Sequence, residues 1–556
     1  SNTNSYTVAA GVSWVGTTST DWNDATNWST AAVPVATDNI TIATASGNMP
    51  VVGTGVTAVA AIVSISSSST LTVSGTGSLA VTSISNSGTI NANSGTISTS
   101  TTITNNSGGN INVAGGTITT TTSLTNNATI NVSGGTITNT TILSNNGTVT
   151  ITSGTLNVIA ASGTGITNNT GSNFNINGGI VNLGPQDNTA NNRIFSHAGG
   201  TLTVNSGTMN IAGVLNVSSG TFTQLGGDIN VDFNGTVSAT TAACNFTGGT
   251  YNLSGGTITI VDPGATSISA FSYTATANTI CTGSHTVRFG DGVSTTPGLS
   301  STVGFTLSNT STTPRFHFRN LTINGTNLGI NRFVTQSDNS VLGNFIIMPG
   351  SEYRQSTNSL HLAGNMIING VLVADASNDQ LAFEDFSSGV ISPVTIAQIV
   401  IGSGTIQNAT TAPTGEITIL RVNNTNPSGV TISMTNPLRV TGAITITNGI
   451  LNTTGLTLNG SSAQAVALTA ATSSINVTNL TLNNSLGATL SGSGFLNVTG
   501  VYTKTAGILA AGGRLTLKSS LAGTARVAQV LSGDITGTVN VERYIPGGRR
   551  KIGRAH

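Results

Sequence analysis

Along much of the chain, apolar residues alternate with Thr, Asn and Ser. Asn110-Ile-Asn-Val113, Asn175-Ile-Asn177 and Asp228-Ile-Asn-Val-Asp232 are examples. A period of two is the signature of a β-strand. Gly or Asn-Asn separates the short segments, as expected where the backbone must reach positive φ. The segments recur. Gly-Gly-Thr-Ile stands at 115–118 and again at 134–137, and Gly-Thr-Leu at 154–156. The aliphatic position of that string recurs as Ile97, Ile118, Ile137, Leu156 and Val181, in steps of 21, 19, 19 and 25 residues. A second series, Ile90, Ile111, Ile130, Val149 and Phe174, advances by the same steps. Paired asparagines form a third, at 105–106, 126–127, 145–146 and 168–169. Three registers moving together define a repeat of about 20 residues. One coil cannot bury its apolar face alone, so successive coils stack. The pattern predicts an all-β chain, a right-handed parallel β-helix (β-solenoid). About three short strands of four to six residues would fill each coil of roughly 20 residues. Ile, Val and Leu ladders would lie inside, with Thr, Asn and Ser ladders outside.

Breaks in the pattern divide the chain. Residues 1–45 hold all three tryptophans, Trp14, Trp22 and Trp28, and read as an N-terminal cap over the open end of the core. The rival reading makes those rings a sugar-stacking platform for glycan contact. Residues 46–262 are the regular solenoid. Residues 263–345 lose the strict repeat and gain Phe271, Tyr273, Arg288, Phe305 and the run Arg315-Phe-His-Phe-Arg319, as irregular or elaborated coils. A second, looser solenoid stretch runs over 346–540, and 541–556 reads as a linker toward a further C-terminal part. Its end, Lys551-Ile-Gly-Arg-Ala-His556, resembles the translation of a sequencing-library adapter and carries no functional weight.

Composition narrows the function. Charged residues are 6% of the chain, against about 25% in an ordinary soluble domain. Lys and Glu are scarce, which argues against a helical or α/β enzyme. Hydrophobic residues reach 37% and are patterned, which argues against disorder. The zero net charge hides an asymmetry. Residues 1–262 carry seven acidic groups and one basic group, Arg193, while Lys504 to His556 carry nine basic and two acidic. The acidic majority offers no electrostatic footprint for nucleic acid. No apolar run approaches the ~18 residues of a membrane span. The chain starts at Ser1 without a Met, as a mature secreted protein does after loss of its signal peptide. Cys244 and Cys281 would form one disulfide if stacked coils bring them together; otherwise they are two buried thiols.

A family resemblance rests on particular strings. Asn27-Trp28-Ser29, Val33-Pro34 and Asp38-Asn-Ile-Thr-Ile42 look like the start of large secreted surface proteins of Bacteroidetes. Phe318-Arg-Asn-Leu-Thr-Ile-Asn-Gly325 resembles their coils. Gly513-Arg-Leu-Thr-Leu-Lys518, Gly523-Thr-Ala-Arg-Val527 and Gly537-Thr-Val-Asn-Val-Glu-Arg-Tyr-Ile-Pro546 resemble the junction after the solenoid in type IX secretion cargo. The resemblance implies an extracellular or cell-surface location and an adhesin-like or fibrous role. In that family further domains and a C-terminal sorting domain follow.

Candidate chemistry is sparse. Parallel β-helices include polysaccharide lyases and hydrolases, which need a face of clustered carboxylates and bases. Residues 46–262 supply four acidic groups and one Arg. Asp375, Asp379, Glu384 and Asp385 form the densest acidic cluster, but with no obvious base nearby they read as a polar loop. Asp228, Asn230, Asp232 and Asn234 alternate, which makes Asp228 and Asp232 candidate Ca²⁺ ligands, with a solvated face as the plainer reading. The five histidines show no zinc spacing, and His317 reads as structural. Thr99/Thr101, Thr120/Thr122 and Asn139/Thr141 suggest a short ice-binding row. No catalytic residue and no cofactor is expected. The leading expectation is a non-enzymatic extracellular stalk or fibre subunit, anchored at a cell surface or self-associating head to tail. A polysaccharide-binding or polysaccharide-degrading β-helix is the alternative and ice binding the minor one.

Overall fold

The computed structural model describes residues 11–43, 47–159, 163–184, 193–232, 242–261, 270–293, 305–309, 315–325, 332–335, 338–355, 358–374, 379–388, 390–407, 416–530 and 535–546. Asn234, Asp375 and the segment 551–556 lie outside them. Among the described residues strands dominate, with one short 3₁₀ turn, Ala25–Asn27, and no helix that is long and apolar enough to cross a membrane. The chain is a parallel β-solenoid that divides into two compact units, Ser1–His285 and Thr286–His556.

In the first unit the predicted registers are the observed ones. Ile90, Ile111, Ile130, Val149 and Phe174 are parallel partners in successive coils. So are Ile97, Ile118, Ile137, Leu156 and Val181. Three strands make one coil: Asn110–Val113, Thr117–Thr120 and Ser123–Asn126, followed by Thr129–Val132, Thr136–Asn139 and Ile142–Asn145. Their burial alternates, so each coil presents its aliphatic residues inward.

Two features depart from expectation. From Asn173 onward the first two strands of a coil fuse into strands of 11 residues, such as Thr201–Ile211 and Thr221–Val231. They run through corners at Gly207 and Gly227, with φ of 84° and 68°. A Cβ at Gly227 would lie 2.7 Å from the Gly207 carbonyl oxygen. Only glycine suits both that backbone and that contact.

The second departure is polar. Asn ladders were expected outside, and several are there, among them Asn91, Asn112 and Asn131, then Asn127, Asn146 and Asn169, then Asn157, Asn182, Asn210 and Asn230. Another lies inside. Asn86, Asn105, Asn126, Asn145 and Asn168 are fully buried. Each Nδ2 donates to the next Oδ1 at 2.8 Å. Each also donates to a backbone carbonyl of the next coil, as Asn105 does to Thr129 and Asn126 to Thr148, both at 3.0 Å. Asn168 ends the row by donating to His197 Nδ1 at 3.1 Å. Strand parity puts these residues inward, two positions after Ile103, Leu124, Leu143 and Ile166. Their amides then bond one another and the carbonyls that open the next strands, which is the condition for burying polar groups.

In the second unit the coils persist with uneven steps. One inner row runs Leu321, Phe345, Met366, Val400 and Ile432. Another runs Leu360, Leu381, Leu420, Ile444, Val466 and Leu490. The long step from Leu381 to Leu420 contains a small excursion closed by the Asp385–Ser392 bridge. After Gly429, strands Val430–Met434, Ile450–Leu458, Ser474–Asn483 and Phe495–Val498 stack in register.

Candidate functional site

The residues singled out from the pattern fall mostly inside. Trp14, Trp22 and Trp28 are 2%, 0% and 2% exposed. They pack edge to face, with centroids 4.9 Å apart for Trp14 and Trp28 and 4.8 Å for Trp22 and Trp28. Trp14 Nε1 donates to the Asn48 carbonyl at 2.6 Å, and Trp28 Nε1 to the Trp22 carbonyl at 2.8 Å. Asn27 knits the turn by accepting from the backbone of Thr18 and Ser19. A buried ring has no face to offer a sugar, so the glycan-platform expectation for these residues is corrected.

The Ca²⁺ expectation for Asp228 and Asp232 also fails on geometry. Asp228 is exposed on an outer row beside Thr208 and Thr257. Asp232 is buried with φ 54°, one residue beyond the end of its strand, where the alternation no longer holds. The two carboxylates do not share a face. No group of three or more His, Cys, Asp or Glu suited to a metal ion occurs among the described residues.

Cys244 and Cys281 are both buried and are not joined by a disulfide, so the bridge is corrected to two thiols. Cys244 sits on an inner row between Leu215 and Phe271. Burial first, and then the charge of Asp232, pushes its thiol far above the usual range. The ice-binding row dissolves similarly, since Thr99, Thr120 and Asn139 point into the core.

The acidic cluster has a partner that the local sequence hid. Glu384 Oε1 lies 3.0 Å from His361 Nδ1, and Oε2 lies 3.4 Å from Arg421. His361 comes from the preceding strand of that row, Ser359–Leu362, and Arg421 from the following one, Ile419–Asn423. His361 stacks on Phe386 at 4.7 Å, and the Arg315 guanidinium lies over the same ring at 4.7 Å. Arg315 also meets Asp338 at 3.4 Å. Nearby His317 is buried, and that burial, followed by the charge of Arg315, lowers its pKa to about 4. The polar-loop expectation is therefore corrected: Glu384 is a buried carboxylate with a base and a guanidinium beside it. Glu384 is only 1% exposed, while Arg421 reaches partly to the surface. The chemistry of the arrangement is charge compensation within the fold.

An open site lies elsewhere in the second unit. Strand Ile450–Leu458 is inward-facing at Leu451, loses its alternation at Thr453 and Thr454, and is buried again from Gly455. Ser474–Asn483 does the same at Thr478 and Asn479. These bends stack and form a concave corner that crosses successive coils. Two adjoining cavities of about 260 and about 190 Å³ occupy it, sharing Thr454. Hydroxyls and amides line them, from Thr431, Ser433, Asn452 and Thr478 in one and from Thr435 and Asn479 in the other. Neither lining contains a charged or aromatic side chain. An apolar pit formed by Ile406, Ile432, Met434 and Leu438 adjoins the corner. The Asn452, Asn476 and Asn497 amides are fixed in one direction, since Asn476 donates to Asn452 at 3.0 Å and Asn497 to Asn476 at 2.9 Å. The recurrence of Asn452, Asn476 and Asn497, in steps of 24 and 21 residues, was the available sequence signal. Nothing in it distinguishes a concave corner from a flat face.

No protein-family model, curated protein or solved structure matches the chain.

Proposed function

We propose that the chain is a non-enzymatic extracellular structural protein, an adhesin-like stalk at a cell surface or a subunit of an extracellular fibre. One observation carries the reading. Groups capable of acid–base or nucleophilic chemistry, such as His197, His285, His317, Glu384, Cys244 and Cys281, are shut inside, while uncharged Asn and Thr rows form the outer faces. Reactive sites need their groups poised near neutral pKa and open to substrate. Here burial holds all three of those histidines near pKa 4, neutral at physiological pH. The resemblance to Bacteroidetes type IX secretion cargo supports the same reading and the extracellular location.

The fibre form rests on the parallel stacking of the coils, since a solenoid strand left unpaired recruits further β-structure. A contact of one end with the other end of a second copy propagates. Electron microscopy of the native material separates the forms: filaments with a regular axial repeat for the fibre, isolated particles of uniform length for the stalk. Release of reducing ends from a panel of plant and microbial polysaccharides would overturn the non-enzymatic reading.

A further inference from the structure

We infer that the concave corner of the second unit is a binding site for a neutral, extended, β-linked polysaccharide, held without being cleaved. This goes beyond a structural role and does not depend on whether the protein is a stalk or a fibre.

Four observations carry it. The corner is a groove rather than a pit, because its two cavities join at Thr454 and successive coils each contribute to it. Its direction is the solenoid axis, along which equivalent groups repeat every ~4.8 Å, one strand spacing. An extended β-linked glycan advances by a similar distance per sugar, so each residue of the polymer meets an equivalent set of partners. Those partners are Ser433, Thr454, Thr478 and Thr499, all exposed hydroxyls, with Asn479 adding an amide. Alcohols and amides both donate and accept, which is what sugar hydroxyls require.

The second observation is charge. Without a cation in the lining, nothing compensates an anionic polymer such as a polyuronate or a nucleic acid, so the ligand is neutral. Third, an extended peptide is disfavoured. Peptide capture on a sheet needs a free backbone edge, and here the backbones are already paired between coils. Fourth, the groove is preorganised. The Asn ladder fixes the amide orientation, and binding then costs little ordering. No carboxylate pair flanks the groove, so the hydrolytic geometry is missing from its lining.

Affinity electrophoresis and titration calorimetry on the full chain test the assignment. The probes are mixed-linkage β-glucan, hydroxyethylcellulose and xylan, with polygalacturonate and hyaluronate as anionic comparisons. The expected result is retardation by at least one neutral polymer, none by the anionic ones, and no change in polymer length. Thr454→Arg with Thr478→Arg, both at exposed positions, should weaken binding at least about tenfold with an unchanged melting temperature. Should that pair unfold the protein, Thr499→Arg serves as the second variant and should weaken binding in the same direction. Binding to no neutral polymer, equal binding to the anionic ones, or undiminished binding by folded variants would each overturn the inference.

Discussion

The two units solve the same problem in different ways. Both stack coils and must bury polar groups where strands end. In Ser1–His285 each coil repeats its predecessor closely, so the polar residue inside one coil sits over the same residue in the next. Asparagine, which donates and accepts in one planar group, then satisfies itself down the column from Asn86 to Asn168 without any charge. In Thr286–His556 the steps are uneven and unlike residues come into register. There the inward polar groups need unlike partners, and Glu384 is held by His361 and Arg421. Regular repetition thus permits a neutral, self-complementary polar core. In the second unit the neutral amides of Gln398 and Gln464 turn to backbone carbonyls instead of to their own kind, and Glu384 adds a charged pair.

The comparison breaks most severely if the regular register is wrong. Ile137→Asp places an unpaired charge between Ile118 and Leu156 and should cost several kcal/mol, read as a large fall in the denaturation midpoint of the first unit. An unchanged midpoint would refute the stacking.

Acid should act on both units next. His197 and His285 in the first unit and His317 in the second have pKa values lowered from 6.5 to about 4, chiefly by burial. The folded state keeps them neutral, while the unfolded chain takes up protons below about 6.5. Their contribution is therefore complete above pH 6.5 and is lost as pH falls from there toward 4. Hydrogen exchange followed by mass spectrometry from pH 7.5 to 4.5 should show peptides around His197 and His285 losing protection. Protection unchanged over that range would mean these rings are not held neutral by burial.

A smaller effect is expected from the ladder itself. Asn126→Leu removes the donor to Asn145 and the acceptor for Asn105, at a cost of about 1–3 kcal/mol. Glu384→Gln, a nearly isosteric change beside a partly exposed Arg421, should cost about 1 kcal/mol. Chemical denaturation of the two variants ranks them; a costlier Glu384→Gln would reverse the contrast between neutral and charged cores. The smallest effect expected is none: neither EDTA nor millimolar Ca²⁺ should move the melting temperature, because Asp228 is exposed on the strand while Asp232 is buried just past its end. A rise with Ca²⁺ would show that the two carboxylates meet.

Much of the fold was legible because stacking in parallel register converts spatial neighbours into residues one repeat apart. Ile118 and Ile137 touch in space for the same reason that they align in the sequence. The inner asparagine row was legible in principle from strand parity, since Asn105 follows Ile103 by two. The doubled Asn pairs masked it by resembling turns. The partner of Glu384 was not legible, because His361 belongs to a different coil of uneven length and no constant step connects them.

The sequence by itself determined the solenoid, its aliphatic rows and its uncharged exterior, since each follows from local alternation and a recurring step. Only the tertiary structure decided what the non-repeating residues do. It buried three tryptophans that composition alone offered to a ligand, parted two aspartates at a strand end, and kept two cysteines from bonding. It also folded an ordinary run of Thr and Asn into a concave corner. The physical reason is that alternation specifies which side of a strand a residue faces, whereas the angle at which one strand meets the next depends on contacts from neighbouring coils.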